Sequence, residues 1–255
     1  MLELRNVSVR YGGHLAVDDV SFTLGPGITG LIGPNGAGKT TLVDAITGFV
    51  AAEGQVLLDG RRMDGLPPYR RALGGLARTF QSAELFSQLT VAENVRVAIE
   101  RPTWLGLIGD AVRPNRSKAS ARVNDALELV GLADVADRRP TELGFGQRRL
   151  VGVARALALD AKVVLLDEPA AGLDLSESEL MEGHLASVAR DGVSILLVEH
   201  DMRLVFAACD AVHVLVTGKL VASGTAEEVR RNEAVVAAYL GSSAALEAHH
   251  EDEPA

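Results

Sequence analysis

The chain has 255 residues, 47% hydrophobic and 23% charged, with a formal net charge of −9. This composition describes a globular protein with room for one large domain or a core plus a smaller lobe, and the acidic balance argues against a general nucleic-acid binder, which needs a basic face. One cysteine, Cys209, permits neither an internal disulfide nor a cysteine zinc cluster and fits a reducing cytoplasm, with core packing as its expected role.

No apolar run approaches the ~18 residues of a membrane span, and the opening "MLELRNVSVRYGG" lacks the apolar core of a secretory signal. From there Leu2, Leu4, Val7 and Val9 read as a half-buried strand. "VSFTL" (20–24) and "ITGLIG" (28–33) are further strands, with Gly25, Pro26 and Gly27 as the turn between them. After Gly38 the period becomes helical: Leu42, Ala45 and Ile46 share a face, and Gly48 closes it. "QVLLDG" (55–60) is a strand with a turn, and Gln81 ends a short strand in "ARTFQ". Helical signals dominate 90–159, with Ala126, Leu129 and Val130 on one side of "ASARVNDALELVGL" (119–132). "KVVLLDE" (162–168) and "GVSILLVEH" (192–200) are continuous apolar strands of the kind buried on both faces of a parallel sheet. The order of elements predicts an α/β fold with a parallel sheet, interrupted by a helical insert. The tail "SSAALEAHHEDEPA" (242–255) is acidic and aperiodic and reads as disordered; its adjacent His249 and His250 make a poor metal chelate.

"GPNGAGKT" (33–40) fits G-x-x-x-x-G-K-[ST] and lies between an apolar strand and a helix, as that motif requires. Gly33, Gly36 and Gly38 let successive backbone N–H groups turn inward around a phosphate, and the helix N-terminus adds its positive end. Lys39 is placed to neutralise β- and γ-oxygens, and Thr40 offers a hydroxyl to Mg²⁺. "VVLLDEP" (163–169) supplies the acidic strand: Asp167 to hold Mg²⁺ through a water, Glu168 to polarise the attacking water as general base. His200, closing "LLVEH", stands where it could bond the γ-phosphate, and Gln81 where it could reach metal and water. Alone, a strand-end histidine is more often structural and a single glutamine says almost nothing; both gain weight as members of the set.

With these residues on the page the chain resembles the ATP-binding cassette family. Tyr11, the 33–40 loop, Gln81, "LGFGQ" (143–147), the Asp167–Glu168 pair, "AGLD" (171–174) and His200 occur in that family's order and approximate spacing, over roughly residues 1–240. The resemblance implies a P-loop NTPase (RecA-like) parallel-sheet core, an N-terminal antiparallel β subdomain and an α-helical subdomain inserted at about 86–158, with 241–255 as an acidic tail. It implies an ATPase that takes ATP and Mg²⁺. Gly33, Pro34, Asn35, Gly36, Ala37, Gly38, Lys39, Thr40 and Thr41 would cradle the nucleotide and Tyr11 would stack on adenine. Thr40, Gln81 and Asp167 would serve the metal, and Glu168, His200 and Gln81 would serve cleavage. Within the family, "LARTFQSAELFSQLTVAENV" (76–95), "LLDEPAAGLD" (165–174) and "VEHDM" (198–202) look most similar to ATPase subunits of branched-chain amino acid importers; urea or amide importers and some lipid or lipopolysaccharide exporters share much of this wording.

The family pairs two cassettes around two nucleotides, so Gly144, Gly146 and Gln147 of the signature stretch would face the partner's γ-phosphate, and Asp174 would cross to the second cassette. The usual signature reads Leu-Ser-Gly-Gly-Gln; here Gly144 stands for the serine and Phe145 for a glycine. The lost hydroxyl bond to an anion is worth about 1.5–3 kcal/mol. The backbone N–H groups and the helix dipole remain, and glycine is an acceptable N-cap. An attenuated, working site is expected.

The resemblance implies a partner cassette, a paralogue or a second copy, and integral membrane permease subunits, with the chain cytoplasmic and peripheral on the inner face of the membrane. "SAELFSQL" (82–89), with Leu85, Phe86 and Leu89, would edge a groove for a permease helix; packing of the helical insert is the equal alternative for Leu85 and Phe86. "RPTWLGLIGDAVRPNR" (101–116), holding the single tryptophan, reads as locally packed rather than partner-facing. A non-transport cassette ATPase of DNA repair or translation is disfavoured: 81–143 leaves no room for a long coiled coil, one cassette is present, and the balance is acidic. A regulatory module that holds ATP without cleaving it is opposed by Glu168 and His200.

Overall fold

The computed structural model describes residues 1–79, 85–99, 116–190 and 192–235. In chain order the first part carries β1 (Leu2–Tyr11), β2 (His14–Leu24), β3 (Gly27–Ile32), α1 (Lys39–Thr47), β4 (Glu53–Leu58), β5 (Arg61–Arg62), α2 (Pro68–Leu73) and β6 (Leu76–Arg78). Helices α3 (Val91–Ile99), α4 (Arg116–Leu129) and α5 (Phe145–Leu157) follow. The last part runs β7 (Val163–Asp167), α6 (Leu175–Arg190), β8 (Ser194–Val198), α7 (Met202–Ala208), β9 (Ala211–Val216), β10 (Lys219–Gly224) and α8 (Ala226–Arg230). The expected Gln81, the Trp104 stretch and the acidic tail lie outside the described residues.

The strands form two sheets, an antiparallel one ordered β2-β1-β4-β5 and a six-stranded one ordered β10-β9-β3-β8-β7-β6. In the second sheet β9, β3, β8, β7 and β6 pair parallel, and β10 closes the edge antiparallel to β9. The continuous apolar runs of β7 and β8 have the predicted cause, since every residue of both strands is buried. Their alternate side chains enter two different cores. Val163, Leu165, Leu196 and Val198 join Leu42 and Ile46 of α1 and Leu4 of the first sheet. Val164, Leu166, Ile195 and Leu197 join Leu127, Val151 and Leu185 of the helices α4, α5 and α6.

Two details depart from the sequence reading. The buried stripe of α4 is Val123, Ala126, Leu127 and Val130, the 3-4-7 spacing of one helical face, so Leu129 is only partly buried. Gly27, expected in the turn, opens β3 with φ +108; a Cβ there would lie 2.5 Å from the Asp210 carboxylate, which instead accepts the Ile28 N–H at 2.9 Å. The β9–β10 hairpin and α7 carried no sequence expectation. Helix α1 ends as expected: Gly48, at φ 83, returns its N–H to Ala45 O. The buried Arg71 guanidinium adds bonds to the Ala45 and Ile46 carbonyls that the helix end leaves open.

Candidate functional site

The C-terminal ends of β3, β7 and β8 converge, and the chemistry-bearing residues follow directly from them. The 33–40 loop leaves β3 and enters α1 at Lys39. Its glycines are demanded by contact as well as by conformation: a Cβ on Gly33 would lie 2.1 Å from Leu215 O, and one on Gly38, at φ +100, would lie 2.4 Å from Ala16 O. Asp18 N–H donates to Gly218 O at 2.8 Å and Gly218 N–H to Ala37 O at 2.9 Å. The loop is thus wedged between β2 and the β9–β10 turn. Lys39 is buried and donates to Gly33 O at 2.7 Å and Pro34 O at 3.1 Å, curling over its own loop. Burial lowers its pKa, opposed by the nearby Glu168 and Asp167 carboxylates. Thr40, Asn35 and Gly36 are exposed on the same rim, and Thr41 is half-buried in the first turn of α1.

Asp167 ends β7 almost fully buried. Arg78 of β6 reaches its Oδ2 at 2.9 Å and also pairs with Asp44 of α1. Thr79 continues beside β7, its N–H on Leu165 O and its hydroxyl accepting the Asp167 N–H at 3.3 Å. The other oxygen of Asp167, Oδ1, is buried without a hydrogen-bond partner among the described residues. An orphaned carboxylate oxygen is costly, and it fits a hard cation; with so few protein oxygens beside it, phosphate and water would complete the shell.

Glu168 sits at φ 48, a left-handed conformation that a non-glycine residue adopts at some cost, and its N–H bonds Val198 O at 2.9 Å. Its carbonyl accepts the Arg149 guanidinium of α5 at 2.9 Å. His200, after β8, has a 59% exposed side chain and stands 3.8 Å, through Nδ1, from Glu199 Oε2. The structure thus brings Lys39, Asp167, Glu168 and His200 to neighbouring strand ends of one sheet.

The signature stretch caps α5. Gly144 is its N-cap with φ −63, and its N–H donates to the Gln147 side chain at 3.2 Å. Gly146 is buried where a Cβ would meet Glu177 Oε1 at 2.9 Å. Phe145 lies half-exposed with Arg149 stacked 5.1 Å from its ring centroid and its edge against Gly172. Asp174 caps α6, its Oδ1 accepting from Glu177 N–H at 2.9 Å and from Ser176 Oγ at 2.7 Å, which lowers its pKa. Tyr11 is exposed at the end of β1, paired with His14 across the hairpin whose β2 arm supplies the Ala16 carbonyl. A cavity of about 380 Å³ opens at the far end of α1, lined by Gly48, Glu53, Leu66 and Arg71, away from these groups.

A family model described as ABC transporter matches residues 17–171. The chain is a member of the ABC transporter family, as an ATP-binding cassette. A second model, the branched-chain amino acid ATP-binding cassette transporter, matches the cassette over 219–245. The cassette is 38% identical over 249 residues to the high-affinity branched-chain amino acid transport ATP-binding protein LivG of Escherichia coli (strain K12), covering 94% of this chain and 98% of that one. It is 33% identical to the lipopolysaccharide export system ATP-binding protein LptB of Haemophilus influenzae, covering 94% and 97%. The crystal structure of the ADP conformation of an ATP-binding cassette of an ABC transporter superposes with TM-score 0.83 at 29% identity, covering 94% and 98%. As a member of this family the cassette binds ATP and is an ATPase.

Four polar groups of the cassette's site had no sequence signal: Arg78, Asp44, Arg149 and Glu199. Arg78 and Glu199 lie inside quoted stretches and Asp44 and Arg149 beside them, yet each has a partner far away in the chain, so spacing alone does not pair them.

Proposed function

We propose that this cassette is the ATP-hydrolysing subunit of an importer for branched-chain amino acids, cytoplasmic and peripheral on the inner face of the membrane. The observation that carries this reading is the 38% identity, across nearly both full chains, to a branched-chain amino acid transport ATP-binding protein. The branched-chain cassette model at 219–245 supports it independently of the ATP site. Among the described residues no helix is long and apolar enough to cross a membrane, so membrane-spanning permease subunits are the partners this function needs.

The residue roles proposed here join the family resemblance to the geometry of the described residues. Lys39, now spending its N–H donors on Gly33 O and Pro34 O, exchanges them for β- and γ-oxygens. Asp167, whose Oδ1 is buried without a hydrogen-bond partner among the described residues, together with Thr40 and Gln81 would hold magnesium, which would neutralise developing charge on the phosphate oxygens. Glu168 accepts a proton from the attacking water, and the exposed His200 ring faces the γ-phosphate. Gly144, Gly146 and Gln147 present the start of α5 to the nucleotide of a second cassette, a paralogue or another copy, and Tyr11 takes the adenine. Of the apolar residues expected to edge a permease groove, Leu85 packs into the helical core, whereas Phe86 is half-exposed and open to a partner helix.

The test is uptake of labelled leucine, isoleucine and valine by cells deleted for this gene. Uptake is lost, restored by the wild-type chain and not by Glu168→Gln, whose purified protein accumulates as an ATP-bound dimer. The similarity to LptB supports a second reading, lipopolysaccharide export. Intact amino acid uptake with a changed lipopolysaccharide content of the outer surface would select it.

A further inference from the structure

Glu199 lies within the "VEHDM" stretch but has no role assigned there, and among the described residues it is the most deeply buried carboxylate beside the cleavage residues, 1% exposed just past β8. A carboxylate withdrawn from water costs several kcal/mol unless partners compensate, so its partners define its task. Oε1 accepts the N–H of Ala170 at 2.8 Å, two residues beyond Glu168 in the loop that leads to α6. Oε2 accepts the His200 N–H at 3.3 Å and faces that ring's Nδ1 at 3.8 Å. Among the described residues the His200 ring has no other hydrogen-bond or ion-pair partner. Burial raises the Glu199 pKa, with bonds from Ala170 and His200 acting against it and the neighbouring Glu168 adding to it.

We propose that Glu199 is a positioning residue for cleavage of the γ-phosphate: one oxygen fixes the Glu168 loop and the other holds the Nδ1 edge of His200, leaving Nε2 to face the phosphate. The inference rests on the ATPase reading above. The distance of 3.8 Å is ion-pair range rather than a hydrogen bond. A ring rotation that shortens it by about 1 Å makes the bond and fixes the tautomer. A purely structural acid would need only the Ala170 contact, which a glutamine oxygen makes equally well.

Glu199→Gln separates the two roles, since it keeps volume and the acceptor toward Ala170 while replacing the charged oxygen beside His200 with a donor. The full-length chain is purified with its membrane partners for turnover and alone, labelled with ¹⁵N-histidine, for spectroscopy; His200→Gln assigns the ring signals. The expected result is a fall in kcat of tenfold or more with KM for ATP within twofold, together with displaced His200 ring ¹⁵N signals. Unchanged kcat, or unchanged His200 signals whatever kcat does, overturns the proposal. A thermal midpoint within a few degrees of wild type shows that the variant folds; if it does not fold, Glu199→Asp, which keeps the charge at shorter reach, must recover part of both signals or the proposal fails. A wild-type complex without ATPase activity overturns the function on which the inference rests, an outcome separate from an active wild type matched by an equally active Glu199→Gln.

Discussion

Replacing Arg78 by methionine isolates the electrostatics of the site from its nucleotide. The guanidinium is 9% exposed and bridges Asp167, 3% exposed, and Asp44, 29% exposed. Removing one side of a buried pair costs about 3–5 kcal/mol, because the remaining charge stays buried without compensation. Asp44 recovers water and adds at most about 1 kcal/mol, so Asp167 dominates, its second oxygen already lacking a hydrogen bond. For a protein of this size the loss corresponds to a drop of roughly 6–20 °C in thermal midpoint. Circular dichroism melts without nucleotide measure it. Asp167→Asn in the Arg78→Met background removes the uncompensated charge and should recover at least half the loss. A single variant within 2 °C of wild type, or a double variant no more stable than the single, refutes the reasoning.

Gly144→Ser meets open space, since the nearest atom to a new Cβ is Gln147 Oε1 at 4.0 Å. Folding stability should change by no more than a few tenths of a kcal/mol, ATP affinity should hold, and turnover in the assembled complex should rise modestly, well below the hundredfold ceiling of about 3 kcal/mol for a bond to a charged group; a weakened ATP affinity would contradict this. Gly38→Ala places its Cβ 2.4 Å from Ala16 O at φ +100, so nucleotide binding should vanish and the urea midpoint should fall; a variant that binds ATP normally disproves the close approach. His213 is buried against Phe22 with Nδ1 on Ser223, and burial lowers its pKa to about 4. The depressed folded value means its stabilisation is complete above the unfolded pKa of about 6.5 and is lost as pH falls toward 4, by about 3 kcal/mol in all. His213→Gln should flatten that part of the urea-midpoint profile, and a superimposable profile rules the assignment out.

The parallel core and the phosphate loop were legible because their signals are local. An apolar run such as 163–167 needs burial on both faces, and a glycine-rich turn of that spacing between a strand and a helix is rarely anything but a phosphate cradle. Gly48 as the end of α1 was legible for the same reason. Leu129 shares the covered side of α4 with Ala126 but is only partly buried there, because which arc of the helix is fully covered depends on where α5 and α6 lie, which no local period encodes. The β9–β10 hairpin has an alternating edge strand rather than a long apolar run, a weak local signal. Within the site, the motif residues were found by type and order. The Arg78–Asp167 pair spans 89 positions and the Ala170–Glu199 bond 29, contacts made only by strand order.

The wedge formed by Ala37, Gly38, Gly218 and the Ala16 carbonyl limits how the molecule can move. Backbone bonds join the loop to the turn beyond β9, that turn bonds Asp18 of β2, and two glycines leave no slack against Ala16. These bonds tie the nucleotide cradle to both sheets at once. A swing of α5 that kept these bonds intact would turn on the connections to the helices rather than between the sheets.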